Sequence, residues 1–141
     1  MISDAALAQL QLGAYEYTTP FAWSWRTLLN GEPAGMVVRP AGTIIIIPGT
    51  RTLDQWRLDF EALPKMTDHP VLGRVHAGFY AGCEGFAAAI AAQRPAGPLY
   101  IIGHSRGAAQ APLVAGLLSL HGITVSRMVL FAPPRPGMVQ L

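Results

Sequence analysis

Ile44-Ile45-Ile46-Ile47 is the stretch that most restricts how this chain can fold. Isoleucine branches at Cβ, which stiffens χ1 and suits a pleated strand better than a helix. Four in a row also leave no polar face. A strand that is apolar on both sides must be covered on both sides, so Thr43–Ile47 reads as a central strand with a layer above it and another below. Pro48-Gly49 ends it. Leu99–Ile102 and Met128–Phe131 read as further short buried strands.

Helical signals lie between these runs. Ser3 is a plausible N-cap for a short helix over Asp4–Leu12, closed by Gly13. Thr52 and Gln55 form a capping box. Behind it Leu53, Trp56, Phe60 and Leu63 recur at helical spacing, with Asp54, Arg57 and Glu61 facing away, until Pro64 stops the helix. A second helix is expected from Phe79 to Gln93, with Phe79, Phe86 and Ile90 on one stripe, broken by Arg94-Pro95 and Gly97-Pro98. A third is expected from Arg106 to about Leu120, kinked by Pro112, which frees the carbonyl of Ala108, and ended by His121-Gly122. Residues 15–43 are less legible: Asn30-Gly31 marks a turn, Met36–Val38 a short strand, and Trp23 and Trp25 are packing aromatics of core or surface. The order strand, helix, helix, strand, helix, strand implies an α/β fold built on a mostly parallel sheet with right-handed crossovers. Residues 1–141 read as a single domain without repeat, linker or low-complexity tract.

Composition narrows the function classes. Apolar residues make up 51% and charged residues 13%, so the chain should fold rather than stay disordered. Mean hydropathy is +0.33, which points to exposed apolar surface or a missing partner segment. A net charge of +2 with no dense Lys/Arg cluster argues against nucleic-acid binding. The single cysteine, Cys83, excludes an internal disulfide and cannot build a metal site by itself. The longest apolar stretches, such as Phe86–Ala92, fall far short of the ~20 residues a membrane helix needs. No positive residue precedes Arg26, so no signal-peptide pattern is visible and the default expectation is cytoplasmic.

Gly103-His104-Ser105-Arg106-Gly107 carries the chemistry. It has the form G-x-S-x-G and lies between an expected buried strand and an expected helix, the setting in which that short pattern means a nucleophile elbow. There the serine sits on a strained turn with its hydroxyl pushed out of the sheet. A side chain at either glycine would meet the neighbouring strand or helix. The helix starting at Arg106 directs its dipole and free N–H groups toward developing negative charge. The plainer alternative is that Ser105 only caps that helix.

Beyond the elbow, the chain resembles the class 3 (fungal-type) lipase family of the α/β-hydrolase superfamily, as an N-terminal portion. Ile47-Pro48-Gly49-Thr50 is similar to the family's F-R-G-T oxyanion segment, and Asp54-Gln55-Trp56 with Asp59-Phe60 to the D-W-x-x-D-L that follows it. Val75-His76-Ala77-Gly78-Phe79 matches V-H-x-G-F, Gly103–Gly107 matches G-H-S-L-G, and Phe131–Gly137 resembles F-G-x-P-R-x-G. These matches keep the family's order.

The resemblance implies an α/β-hydrolase-type, mostly parallel sheet with helices on both faces and the C-terminal strands and helices missing. It implies a carboxylic-ester hydrolase needing no metal or organic cofactor. Ser105 would be the nucleophile, and the backbone N–H groups of Arg106 and Thr50, the latter with or without its hydroxyl, the oxyanion hole. Gly103, His104, Gly107 and His76 would be structural, as would Asp54 and Asp59. Two departures stand out: Pro48 replaces the usual arginine, and Arg106 the usual leucine. Backbone donors survive both, while a cationic Arg106 would alter the mouth of the site.

In this fold the acid and then the histidine follow the serine in the chain. None of residues 106–141 is Asp or Glu, and His121 is the only histidine among them. At ~1.5 Å rise per residue, a helix would carry His121 ~24 Å from Ser105, against the roughly 3 Å a general base needs. His104 should point away from its neighbour, His76 should begin the helix after Val75, and His69 reads as a loop residue. The expectation is therefore an incomplete chain whose acid and base come from a following segment or another polypeptide. Met128–Phe131 would then be an open sheet edge inviting a second copy or a complementing chain. The readings left are a serine hydrolase of lipid or acylglycerol-type esters, a hydrolase of thioesters or amides, and a catalytically silent piece that binds or complements.

Overall fold

The computed structural model describes residues 2–14, 22–49, 66–69, 72–76, 80 and 82–131. Ser3 caps helix α1 (Asp4–Gly13), its hydroxyl accepting the Ala6 N–H at 3.2 Å. Gly13 does not stop this helix as expected; it lies inside, and Ala14 caps the end in the right-handed conformation, donating its N–H back to Leu10. Ala14 is itself buried, so packing rather than a left-handed glycine ends α1.

A hairpin follows, β1 (Trp25–Leu29) and β2 (Glu32–Arg39), and then β3 (Gly42–Ile47). Asn30 and Gly31 both have positive φ, 53° and 83°, as a two-residue hairpin turn of the I′ kind requires. β2 is longer than the three-residue strand expected and β1 was not foreseen. Gly35 explains the close pairing: a Cβ there would lie 2.1 Å from the Trp25 carbonyl oxygen. The ribbon β4 (Met66–His69) and β5 (Gly73–His76) forms a separate two-stranded sheet. Helix α2 (Cys83–Ala92), β6 (Leu99–His104), helix α3 (Arg106–Leu120) and β7 (Arg127–Phe131) complete the order. α3 continues through Pro112 as one element. The helix expected over residues 52–63 lies outside the described residues, as does Phe79.

The main sheet runs β1-β2-β3-β6-β7. β1, β2 and β3 are antiparallel neighbours, while β3, β6 and β7 are parallel. The sheet is thus mixed rather than mostly parallel. The reason is connection length: short turns at Asn30-Gly31 and Pro40-Ala41 can join only antiparallel strands, and parallel pairing needs a crossover such as α3.

The four isoleucines behave as their pattern demands. All of β3 is buried. Ile44 and Ile46 face α1 with Leu7, Val37, Tyr100 and Ile102. Ile45 and Ile47 face α2 and α3 with Phe86, Ile90, Val114 and Leu118. Among the described residues, helices therefore cover both faces of a five-stranded sheet, an arrangement compatible with an α/β fold. Trp25 joins the second layer, its ring centroid 6.4 Å from that of Phe86. Leu72 docks the β4–β5 ribbon on α3 against Gly116, where a Cβ would meet its Cδ2 at 2.3 Å.

Just after α2, Arg94 holds φ at +50°, a left-handed conformation that penalises any residue with a Cβ. Arg94→Gly should stabilise the fold by about 1 kcal/mol, read as an upward shift of the urea midpoint. An unchanged or lower midpoint would mean that the Arg94 side chain contributes more than its backbone costs.

Candidate functional site

The parallel strands β3, β6 and β7 end together, with Ile47 beside Gly103 and Gly103 beside Leu130. Ser105 stands just beyond, between the end of β6 and the start of α3. Its backbone has φ 55° and ψ −119°, a region that a Cβ-bearing residue occupies only at a cost of about 1–3 kcal/mol. Its side chain makes no capping hydrogen bond to α3, so capping does not account for the strain. The backbone is pinned on both sides instead: the Ser105 N–H donates to the Phe131 carbonyl at 3.1 Å, and the Ser105 carbonyl accepts the Ala108 N–H at 2.9 Å.

Three glycines make this turn possible. A Cβ on Gly103 would lie 2.3 Å from the Gly107 carbonyl oxygen, and one on Gly107 would lie 1.9 Å from the Ile47 carbonyl oxygen. Gly49, in the loop leaving β3, is pressed against the serine itself. A Cβ there would lie 3.0 Å from the Ser105 Cβ and 3.1 Å from the Arg106 nitrogen. In the sequence Gly49 reads mainly as a strand stop; its place directly before Thr50 is the signal for more. Thr50 lies outside the described residues.

Arg106 opens α3 and is half-buried. Its charge is felt at Cys83, on the first turn of α2. Burial dominates there and pushes the Cys83 thiol up to about 12, with Arg106 opposing more weakly. The Arg106 side chain therefore lies within electrostatic reach of α2. His104 ends β6 and, by strand alternation, shares the α1-facing side with Tyr100 and Ile102. Burial lowers its pKa, favouring the neutral imidazole.

The other histidines belong to other elements. His76 ends β5 and pairs with Met66, rather than beginning a helix. His69 belongs to β4 and is not a loop residue. Its Nδ1 accepts the Leu72 N–H at 3.0 Å, its Nε2 is 4.0 Å from a Glu84 carboxylate oxygen, and its ring centroid is 5.8 Å from that of Tyr80. Burial and then the hydrogen bond to Glu84 push the Tyr80 phenol up to about 12. This His69–Tyr80–Glu84 cluster was not foreseen, because its members are spread over sixteen residues with no local motif. His121 caps the far end of α3 from Ser105 and is exposed.

The described elements thus bring Gly49, Gly103, Ser105, Arg106 and Gly107 together. They supply a hydroxyl on a strained turn, beside the N-terminal amides of a 15-residue helix. Such a site can hold a carbonyl whose oxygen gains negative charge under attack. Among the described residues no group of three His, Cys, Asp or Glu could hold a metal ion, and no helix is long and apolar enough to cross a membrane.

The family model for lipase (class 3) matches residues 44–141, from the first of the four isoleucines onward and over more than half of the chain. A search of curated proteins found no match.

Gly107→Ala should destabilise the whole fold by about 3 kcal/mol or more, because its Cβ meets rigid backbone. Gly49→Ala would place its Cβ 2.7 Å from the His104 carbonyl oxygen, which is also backbone, so it should lower the urea midpoint as well; a midpoint equal to that of the unmodified chain would refute this close contact. His104 supplies a pH dependence. Its folded pKa is below the unfolded value of about 6.5, so acidification through that value protonates the unfolded chain first and lowers stability. The urea midpoint should fall between pH 8 and pH 5, and His104→Asn should lessen the fall; an identical fall in the variant would assign it to other groups.

Proposed function

The chain belongs to the class 3 lipase family, and on that premise we propose that it is a serine-dependent hydrolase of carboxylic esters, of the lipid or acylglycerol type, with Ser105 as nucleophile. The observation that carries the reading is the strained, uncapped Ser105 enclosed by Gly49, Gly103 and Gly107 at the ends of the parallel strands. The mixed sheet with helices on both faces supports an α/β-hydrolase-type arrangement around it.

In this mechanism the Ser105 Oγ attacks the ester carbonyl carbon. As the C–O bond forms, the carbonyl π electrons move onto oxygen, and the backbone N–H groups of Arg106 and Thr50 hold that oxyanion. The serine proton passes to a general base and from it to the departing alcohol. Water then attacks the acyl-serine, releasing the acid and restoring the hydroxyl. Gly103, His104, Gly107 and His76 serve as structural residues around these atoms. His121 is not the base, because α3 separates it from Ser105 by roughly 24 Å. β7 borders the sheet among the described residues, and a second copy or a complementing chain pairing there belongs to the same reading.

A second reading is a catalytically silent hydrolase-fold chain that acts by binding or complementation. One observation favours it: among the described histidines, His121 lies at the far end of α3 from Ser105, and His69 and His76 belong to the separate β4–β5 sheet.

Hydrolysis of p-nitrophenyl butyrate by the chain and by Ser105→Ala, each with and without added imidazole, separates the two. The proposal expects turnover that Ser105→Ala removes, by a factor on the order of 10⁶ where a full triad operates. Where the base is weak or absent, imidazole should raise the rate of the unmodified chain above the rate of imidazole alone, and that of Ser105→Ala not at all beyond it. Equal rates in both proteins, with and without imidazole, would remove Ser105 as nucleophile and leave the silent reading.

A further inference from the structure

At the opposite end of the main sheet from Ser105 a groove opens between α1 and the turn joining β2 to β3. Ser105 follows the C-terminal end of β6, whereas this turn precedes the start of β3, which runs parallel to β6. The length of a six-residue strand, about 20 Å, therefore separates the two places. The groove has a volume of about 480 Å³, within the range of small-molecule sites. Ile2, just before α1, with Ala6 and Leu10 of α1 forms one wall, and Pro40 and Ala41 of the turn form the other. Ile2 and Leu10 also pack against the core cluster on this side of the sheet, so the groove is continuous with apolar interior.

Only two of the lining residues are polar. Gln9 offers an amide, and Arg39 supplies the one charge. Among the described residues no acidic side chain lines the groove. The nearby carboxylate of Asp4 is committed elsewhere, in an ion pair with Arg127. Arg39 is exposed and spends one donor on the Val38 carbonyl at 3.5 Å, the long limit of a hydrogen bond. A guanidinium has five N–H donors, so a fork remains for a carboxylate.

We propose that this groove binds a free fatty acid, with the alkyl chain between α1 and the β2–β3 turn and the carboxylate on Arg39. The apolar walls set the preference for a hydrocarbon chain, and the uncompensated cation sets the preference for an anionic head over a neutral or cationic one. The groove is open to solvent and only a few residues long, which suits a single chain rather than a membrane face. The site is separate from Ser105 and does not depend on what that residue does.

Calorimetric titration with monomeric sodium decanoate, below its micelle concentration, tests this directly and reads binding alone. Decanoate should bind the unmodified chain, and Arg39→Gln, a surface change that spares the fold, should weaken it about tenfold, as expected for one charge-assisted pair. Ala6→Trp, which fills the groove, should abolish binding while circular dichroism shows an intact fold. Decyltrimethylammonium, with the same chain and opposite charge, should bind at least tenfold more weakly than decanoate. The proposal is overturned if decanoate does not bind, if Arg39→Gln binds it as the parent does, if the cationic amphiphile binds equally, or if only phospholipid vesicles bind.

Discussion

Backbone touches backbone where α3 leaves β6, and the rest of the molecule is arranged around that contact. Gly107 lies so close to the Ile47 carbonyl, and Gly103 so close to Gly107, that no side chain fits between helix and sheet. This closeness holds α3 over β3 and β6 and sets the first turn of the helix at the strand ends. The serine between the two glycines has no room to relax into an ordinary helical or extended conformation. Gly49 closes the third side. Dispersion and burial then act over the whole length of α3, through residues such as Val114 and Leu118.

The sheet divides into two regimes. β1 and β2 are built by short-range turns and pair antiparallel, as an extension laid onto β3. β3, β6 and β7 are parallel, and all three end beside Ser105. In open sheets with parallel strands, the carboxyl ends are where ligands and reacting groups gather, because loops and helix N-termini converge there. The opposite end carries the turn at Pro40-Ala41 and the groove beside α1, with different chemistry: one cation, one amide and apolar walls.

How much of this was legible in the residues depended on the range of the interaction. The Ile44–Ile47 run predicted a strand buried on both faces because alternation and burial are local properties of a strand. The elbow was legible because two glycines flank one serine within five positions. The β1–β2 ribbon was hard to read because Pro33 and Gly35 are poor strand formers, and pairing with Trp25–Leu29 outweighed propensity. The antiparallel half of the sheet followed from turn lengths that the pattern of apolar runs does not encode. The His69–Tyr80–Glu84 cluster was invisible for a similar reason, since only the docking of β4 onto α2 brings its members together. Gly49 was seen, but its contact with Ser105 spans more than fifty residues of chain.

The hydrogen bond from the Ser105 amide to the Phe131 carbonyl ties the strained residue to the last strand of the sheet among those described. A strand opens locally more readily the fewer contacts must break. Each opening of β7 would release the anchor and let the Ser105 backbone relax toward a commoner conformation. The tension in the turn is therefore stored jointly by two elements, and its lifetime is that of the weaker. The exchange rate of a single amide proton, that of Ser105, would then report how long the turn stays wound.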